Sequence, residues 1–133
     1  MDATFLARLK SDYPKLHFRS GKKFAFRPPK TIIFPVGDGG NSDSLLILHE
    51  MGHALSHHRV FKTEIGRLKM EVEAWEKARE LAYIYKIPID EELIEGELDT
   101  YRDWLHQKSR CPNCGLTRFQ TPDGVFKCPK CDI

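Results

Sequence analysis

What this chain lacks narrows it first. No apolar run in its 133 residues approaches the roughly 20 that a helix needs to cross a bilayer. The amphipathic start, MDATFLARLKSDYPK, has no long apolar stretch of the kind that directs secretion. Cysteine is missing until Cys111. A large net charge is missing too, since 21 Lys and Arg face 19 Asp and Glu for a formal +2. There is no internal repeat and no low-complexity tract. At 41% hydrophobic and 30% charged residues, the composition is that of a globular protein. These features predict a cytoplasmic chain with no membrane partner. Its core is modest, and a structural metal would reinforce it.

The small net charge hides an asymmetry. Residues 1–35 carry eight Lys and Arg against two acids, residues 36–106 eight against fifteen, and residues 107–133 five against two. Basic ends suit nucleic acid. The plainer alternative is a solvated surface that balances once folded.

Phe5, Leu6 and Leu9 fall at helical spacing behind Asp2, a candidate N-cap, and Pro14 closes this first helix. KLHFRS and KKFAFRP alternate around Ser20-Gly21 and predict a β-hairpin. KTIIFPV reads as a third strand, and Pro35 inside it argues for an edge position. GDGGNSDS is a loop whose Ser42, Asp43 or Ser44 caps the next helix. Three longer helices are predicted over about 44–58, 64–85 and 90–106. Leu93, Leu98, Tyr101, Trp104 and Leu105 give the last one an apolar face. Tyr83 and Tyr85 read as packing residues, and His17 and His106 carry no special signal.

The chemistry starts at LILHEMGHALSHH. On a helix His49 and His53 lie one turn apart on one face, so both can grip one metal ion. Glu50 beside them is placed to take a proton from water. Zinc suits two imidazoles and a carboxylate, and this is the logic of HExxH. Gly52 within the helix points to close packing by another element. The competing reading is two solvated histidines. His57 and His58 either steady a developing oxyanion or lie solvated at the helix end.

A third ligand is required, and the long metzincin motif is absent, because Ser56 and Arg59 stand where it has Gly and His. The next helix offers several glutamates. Glu71 shares a stripe with Leu68, Ala74, Trp75, Ala78 and Ala82, whereas Glu73 lies among Lys69, Glu76, Lys77 and Glu80. A carboxylate on the apolar stripe needs a partner, and one on the polar stripe does not. Glu71 is therefore the first candidate ligand and Glu64 the second.

HEMGH followed by EVEAWEKARELA resembles the gluzincin metallopeptidases, most closely those of the ImmA/IrrE type, over about residues 32–85. HtpX-type peptidases carry a similar E-x-E-A run. The resemblance implies that the first Glu of the run, Glu71, binds zinc. It also implies that a strand at the cleft edge, here TIIFPV, pairs with an extended peptide substrate. The chain departs from the pattern at Trp75, where relatives have Asp or Asn supporting a ligand. Asp99 or Asp103 from the last helix is a candidate substitute.

Cys111, Cys114, Cys128 and Cys131 form two Cys-x-x-Cys knuckles around RFQTPDGVFK, which reads as two short strands and a Pro-Asp-Gly turn. With no cysteine left over and no secretion signal, metal is favoured over disulfides, and a four-thiolate zinc ribbon is expected. Arg110, Arg118, Lys127 and Lys130 around Phe119 and Phe126 make it a candidate surface for nucleic acid or protein. SprT-like proteases share this architecture of HExxH domain plus ribbon. The predicted fold is thus α+β. A minimal zincin domain over residues 1–107 has a short antiparallel sheet packed on active-site helices, and a zinc ribbon follows over 108–133. The predicted function is zinc-dependent cleavage of protein or peptide substrates, with one catalytic and one structural Zn2+. The alternative is an adaptor or nucleic-acid-binding module whose protease-like domain is weakly active or inactive.

Overall fold

The most apolar strand takes the middle of the sheet. In a computed structural model, which describes residues 2–37 and 41–132, β1 (His17–Gly21), β2 (Ala25–Arg27) and β3 (Thr31–Pro35) are ordered β1-β3-β2. β3 runs parallel to β1, with Phe18 opposite Ile32, and antiparallel to β2, with Phe26 opposite Ile32. This corrects two expectations. β1 and β2 do not pair as a hairpin, so the sheet is mixed rather than antiparallel. β3 is also central rather than an edge strand. The reason is burial: Ile32, Ile33 and Phe34 are buried, whereas β1 is largely exposed. Flanking β3 on both sides removes the most apolar surface from water. Pro35 is tolerated because it is the last residue of the strand. Its register partner Gly21 gives way to Ile33, whose Cγ2 would lie 2.4 Å from a Cβ at that glycine.

Four helices complete this mixed α+β fold, and a second, two-stranded sheet lies in the tail. In α1 (Ala3–Asp12), Asp2 caps the start by accepting from the Thr4 N–H at 2.8 Å, and Phe5 and Leu9 are buried. α2 (Asn41–Leu55) begins earlier than expected, so Ser42, Asp43 and Ser44 sit inside its first turn. Residues 38–40, where its cap would fall, lie outside the described residues. α3 (Glu64–Tyr85) starts behind Thr63, whose hydroxyl accepts from the Gly66 N–H at 3.0 Å. α4 (Glu91–Ser109) is capped by Asp90 and runs unbroken past residue 107. Its buried apolar residues are Ile94 and Leu98, while Leu93, Tyr101, Trp104 and Leu105 are only partly covered.

The core joins Leu45, Leu48 and Met51 of α2 to Trp75, Ala78 and Leu81 of α3, with Ile32 and Phe34 of β3 beneath. At the crossing of α2 and α3, a Cβ on Gly52 would sit 2.3 Å from the Ala74 carbonyl oxygen. The two backbones touch there, and any side chain would push them apart. Tyr85 is buried and donates to Asp12 at 2.5 Å, locking α3 to α1. Tyr83, expected to pack, is 85% exposed. No helix among the described residues is long and apolar enough to cross a membrane.

Candidate metal centres

Because α2 and α3 meet backbone to backbone, their inner faces bring three ligand types together. His49, His53 and Glu71 are buried, and each offers one ligand atom within 4.8 Å of the others. Glu71 Oε2 lies 2.9 Å from His49 Nε2, and Oε1 lies 3.3 Å from His53 Nε2. Oε2 nevertheless has no hydrogen-bond partner. A buried carboxylate oxygen without a donor is costly, and a cation between the three groups would satisfy it. The donor set of two imidazoles and a carboxylate fits zinc. Burial would raise the Glu71 pKa, but the two histidines outweigh it and hold the carboxyl well below the usual range. Burial lowers the His49 pKa, which favours the neutral ring that a metal ligand requires.

The two histidines are supported differently. α2 ends at Leu55 in a left-handed residue, His57 at φ 57°, which turns the chain back on itself. The His58 N–H then donates to the His53 carbonyl at 3.0 Å, and the His57 N–H to Ala54 at 3.1 Å. This C-terminal motif normally uses glycine. It swings His58 under His53, so the two Nδ1 atoms are 2.9 Å apart, and His58 Nε2 lies 2.9 Å from Glu73 Oε2. One Nδ1 must carry a proton and the other must not. With His58 donating from Nε2 to Glu73, its Nδ1 accepts from His53, and the His53 Nε2 lone pair would then be free for a cation shared with Glu71. Phe26 of β2 stacks on the other side of His53 at 5.7 Å.

His49 has no such chain. Its Nδ1 is buried without a partner, and Trp75 stacks on the ring at 4.2 Å between centroids. Neither Asp99 nor Asp103 supports a ligand: both are exposed, and Asp99 accepts from Arg102 at 2.9 Å. Glu73, predicted on the polar stripe, supports His53 at one remove, through His58. His57 is exposed and His58 buried, so the helix-end pair divides.

The cluster opens into a cleft of about 300 Å³ lined by Phe24, by Ala25 and Phe26 of the β2 edge, and by Glu50, Arg67 and Tyr101. The free edge beside the cluster therefore belongs to β2, not to TIIFP. Burial raises the Glu50 carboxyl to about 7, with His53 opposing and Glu71 and Glu97 adding. Tyr101 of α4, predicted on the apolar face, has a hydroxyl that feels the Glu71 carboxylate. Burial first, then Glu71, pushes it up to about 12, so it keeps its proton. A hollow of about 430 Å³ beside His57 and His58 touches none of His49, Glu50, His53 or Glu71.

The second cluster offers four donors of one kind. The Sγ atoms of Cys111, Cys114, Cys128 and Cys131 lie within 4.8 Å of one another, with Cys111 and Cys128 buried. β4 (Phe119–Gln120) and β5 (Phe126–Lys127) pair antiparallel between the knuckles, as the turn sequence predicts. Each knuckle ends in a left-handed residue, Gly115 (φ 77°) or Asp132 (φ 58°). The N–H groups of Lys130 and Cys131 point at Cys128 Sγ at 3.4 and 3.3 Å, and backbone amides likewise lower the Cys111 pKa. Donors aimed at sulfur favour thiolate, the metal-binding form. This four-cysteine cluster is compatible with a zinc ribbon.

Glu64, the second candidate for the third ligand, is used elsewhere. Its N–H donates to Gln120 Oε1 at 2.9 Å, its carboxylate takes Lys108 Nζ at 2.7 Å, and Gln120 Nε2 donates to it as well. Lys108 first, then Gln120, lower its pKa. Glu64 thus fastens the tail to the start of α3. In the tail, Arg118 is held by the Lys108 carbonyl at 2.9 Å and by the Phe126 ring, leaving Arg110, Lys127 and Lys130 exposed. No protein-family model, curated protein or solved structure matches the chain.

Proposed function

We propose that the chain is a zinc-dependent endopeptidase of the gluzincin type, with His49, His53 and Glu71 as metal ligands and Glu50 as general base. One observation carries this reading. A buried carboxylate oxygen without a hydrogen bond sits among two imidazole nitrogens, at the floor of a cleft that also holds Glu50. A zinc ion held there supplies a Lewis acid for the peptide carbonyl and for water. Glu50 takes a proton from water as its oxygen attacks the carbonyl carbon. The same proton then passes to the amine as the C–N bond breaks. Tyr101, protonated at neutral pH, donates to the carbonyl oxygen as negative charge develops there. An extended substrate pairs with the open edge of β2. The four cysteines hold a second zinc that is structural.

The test combines metal content with turnover. Purified protein should hold two zinc ions per chain and cleave members of a mixed peptide library. Glu50→Gln should keep both ions and lose at least about a hundredfold in rate. Turnover near the wild-type level in that variant would remove Glu50 from its role. A second reading, an adaptor that contacts nucleic acid, draws on exposed Arg110, Lys127 and Lys130 beside Phe119, which is 54% exposed. It predicts oligonucleotide binding that weakens steeply with salt, and no peptide cleavage with zinc present.

A further inference from the structure

Three cations line the cleft, Lys23, Arg59 and Arg67, and among the described residues none of them is in an ion pair. Four other cations of α3 and α4 do form ion pairs. Lys77 pairs with Glu80, Arg79 with Glu91, Arg102 with Glu95 and Asp99, and Lys108 with Glu64. The acids of the cleft wall, Glu50 and Glu71, both belong to the reacting cluster. The cleft therefore presents positive charge that the protein does not itself neutralise.

Arg67 is unlike the other two. Lys23 and Arg59 are exposed, whereas Arg67 is half-buried, with its guanidinium over three rings: Trp104 at 4.9 Å, and Phe61 and Tyr101 at 5.2 Å each. Such a cage holds the planar fork in place, so little rotamer freedom is lost when it binds an anion. Arg67 also stands one helical turn before Glu71 on α3, beside the cluster. A fixed guanidinium with no carboxylate partner is suited to bidentate recognition of one.

We propose that Arg67 is a carboxylate-binding subsite, and that the substrate is a peptide carrying Asp or Glu close to the cleaved bond. This rests on the endopeptidase reading above. Lys23 and Arg59 draw the same acidic segment toward the cleft at longer range. Packing of α3 against α4 through Arg67 accounts for the rings but not for a half-buried guanidinium beside the cluster that has no carboxylate partner among the described residues.

The test uses zinc-loaded full-length Glu50→Gln protein and fluorescein-labelled decapeptides in matched pairs that differ only by Glu or Gln at one position. Binding is read by fluorescence anisotropy, and hydrolysis by wild-type protein is read separately. At one or two positions the Glu peptide should bind about 10- to 100-fold more tightly than its Gln twin. Arg67→Lys, which keeps the charge but loses the fork, and Arg67→Gln should each erase most of that difference. The comparison of peptides on unaltered Arg67 stands even where a variant folds poorly. Equal binding of Glu and Gln twins at every position overturns the subsite. So does binding of a single-stranded oligonucleotide with no Glu–Gln difference, which would assign the cations to nucleic acid. Failure of the wild type to cleave any peptide removes the endopeptidase reading alone, because the Glu–Gln difference in binding still reports on Arg67.

Discussion

The two clusters reach similar ligand spacing by opposite routes. The four thiols come from one short stretch, each pair set by a local knuckle, and they supply all four donors of a tetrahedral site. The two imidazoles and one carboxylate come from two helices, depend on the Gly52–Ala74 contact, and leave one side open to a cleft. The first arrangement suits holding a tail folded. The second suits presenting a reactive group to something that enters. The lesson is that closure separates a structural site from one able to do chemistry more clearly than donor type does.

The sharpest way to break this comparison is at the thiols. Cys111→Ser with Cys128→Ser should lower zinc from two ions to one per chain and make the tail sensitive to limited proteolysis. A structural zinc supplies on the order of 10 kcal/mol of folding free energy in small domains. The remaining ion should stay at the His–His–Glu cluster. Loss of both ions would show that the centres are not independent, and Glu64, which ties the tail to α3, would be the place to look. His49→Ala is the reciprocal experiment. Elemental analysis should again give one ion, and cadmium substitution should show only thiolate absorption.

A smaller effect separates the two imidazoles. His58→Phe and Glu73→Gln break the chain that orients His53, and loss of such outer partners weakens metal affinity about 10- to 100-fold. Competition with a chromophoric chelator should show this at the open site only, with His58→Phe the larger loss. Affinity unchanged in both variants would mean that stacking on Phe26 alone orients His53.

The smallest expected effect is on stability in metal-free protein. Burial raises the Glu50 carboxyl from 4.5 to about 7, so the unfolded chain ionises it first. As pH rises between those values the unfolded state therefore gains relative to the folded one. Glu50→Gln removes that penalty. The Tm of the variant minus that of the wild type should grow by a few degrees from pH 5 to pH 7.5, measured by calorimetry without metal. A difference that is flat with pH would place Glu50 in contact with solvent.

Much of both centres was legible in the residues. Cys-x-x-Cys spacing and the one-turn separation of His49 and His53 are set by local backbone geometry, which any helix or knuckle reproduces. Glu71 was separable from Glu73 because a helix has one apolar stripe, and the buried carboxylate proved to be the one on it. The same argument passed over Glu73. Its histidine partner is delivered by a left-handed turn at His57, a residue that gives no local sign of adopting it.

The order of the sheet was not legible either. Alternation marks a strand but does not say which neighbours it takes, and local turn signals favoured a hairpin that the burial of Ile32, Ile33 and Phe34 overrode. In this protein the chain's local pattern determined which atoms are capable of binding metal, because those spacings are short-range geometry. Tertiary packing decided which edge borders the cleft, that Arg67 and Tyr101 face the cluster, and that Glu64 holds the tail. Each of these depends on contacts between segments far apart in sequence, whose outcome is set by how the whole apolar surface is buried.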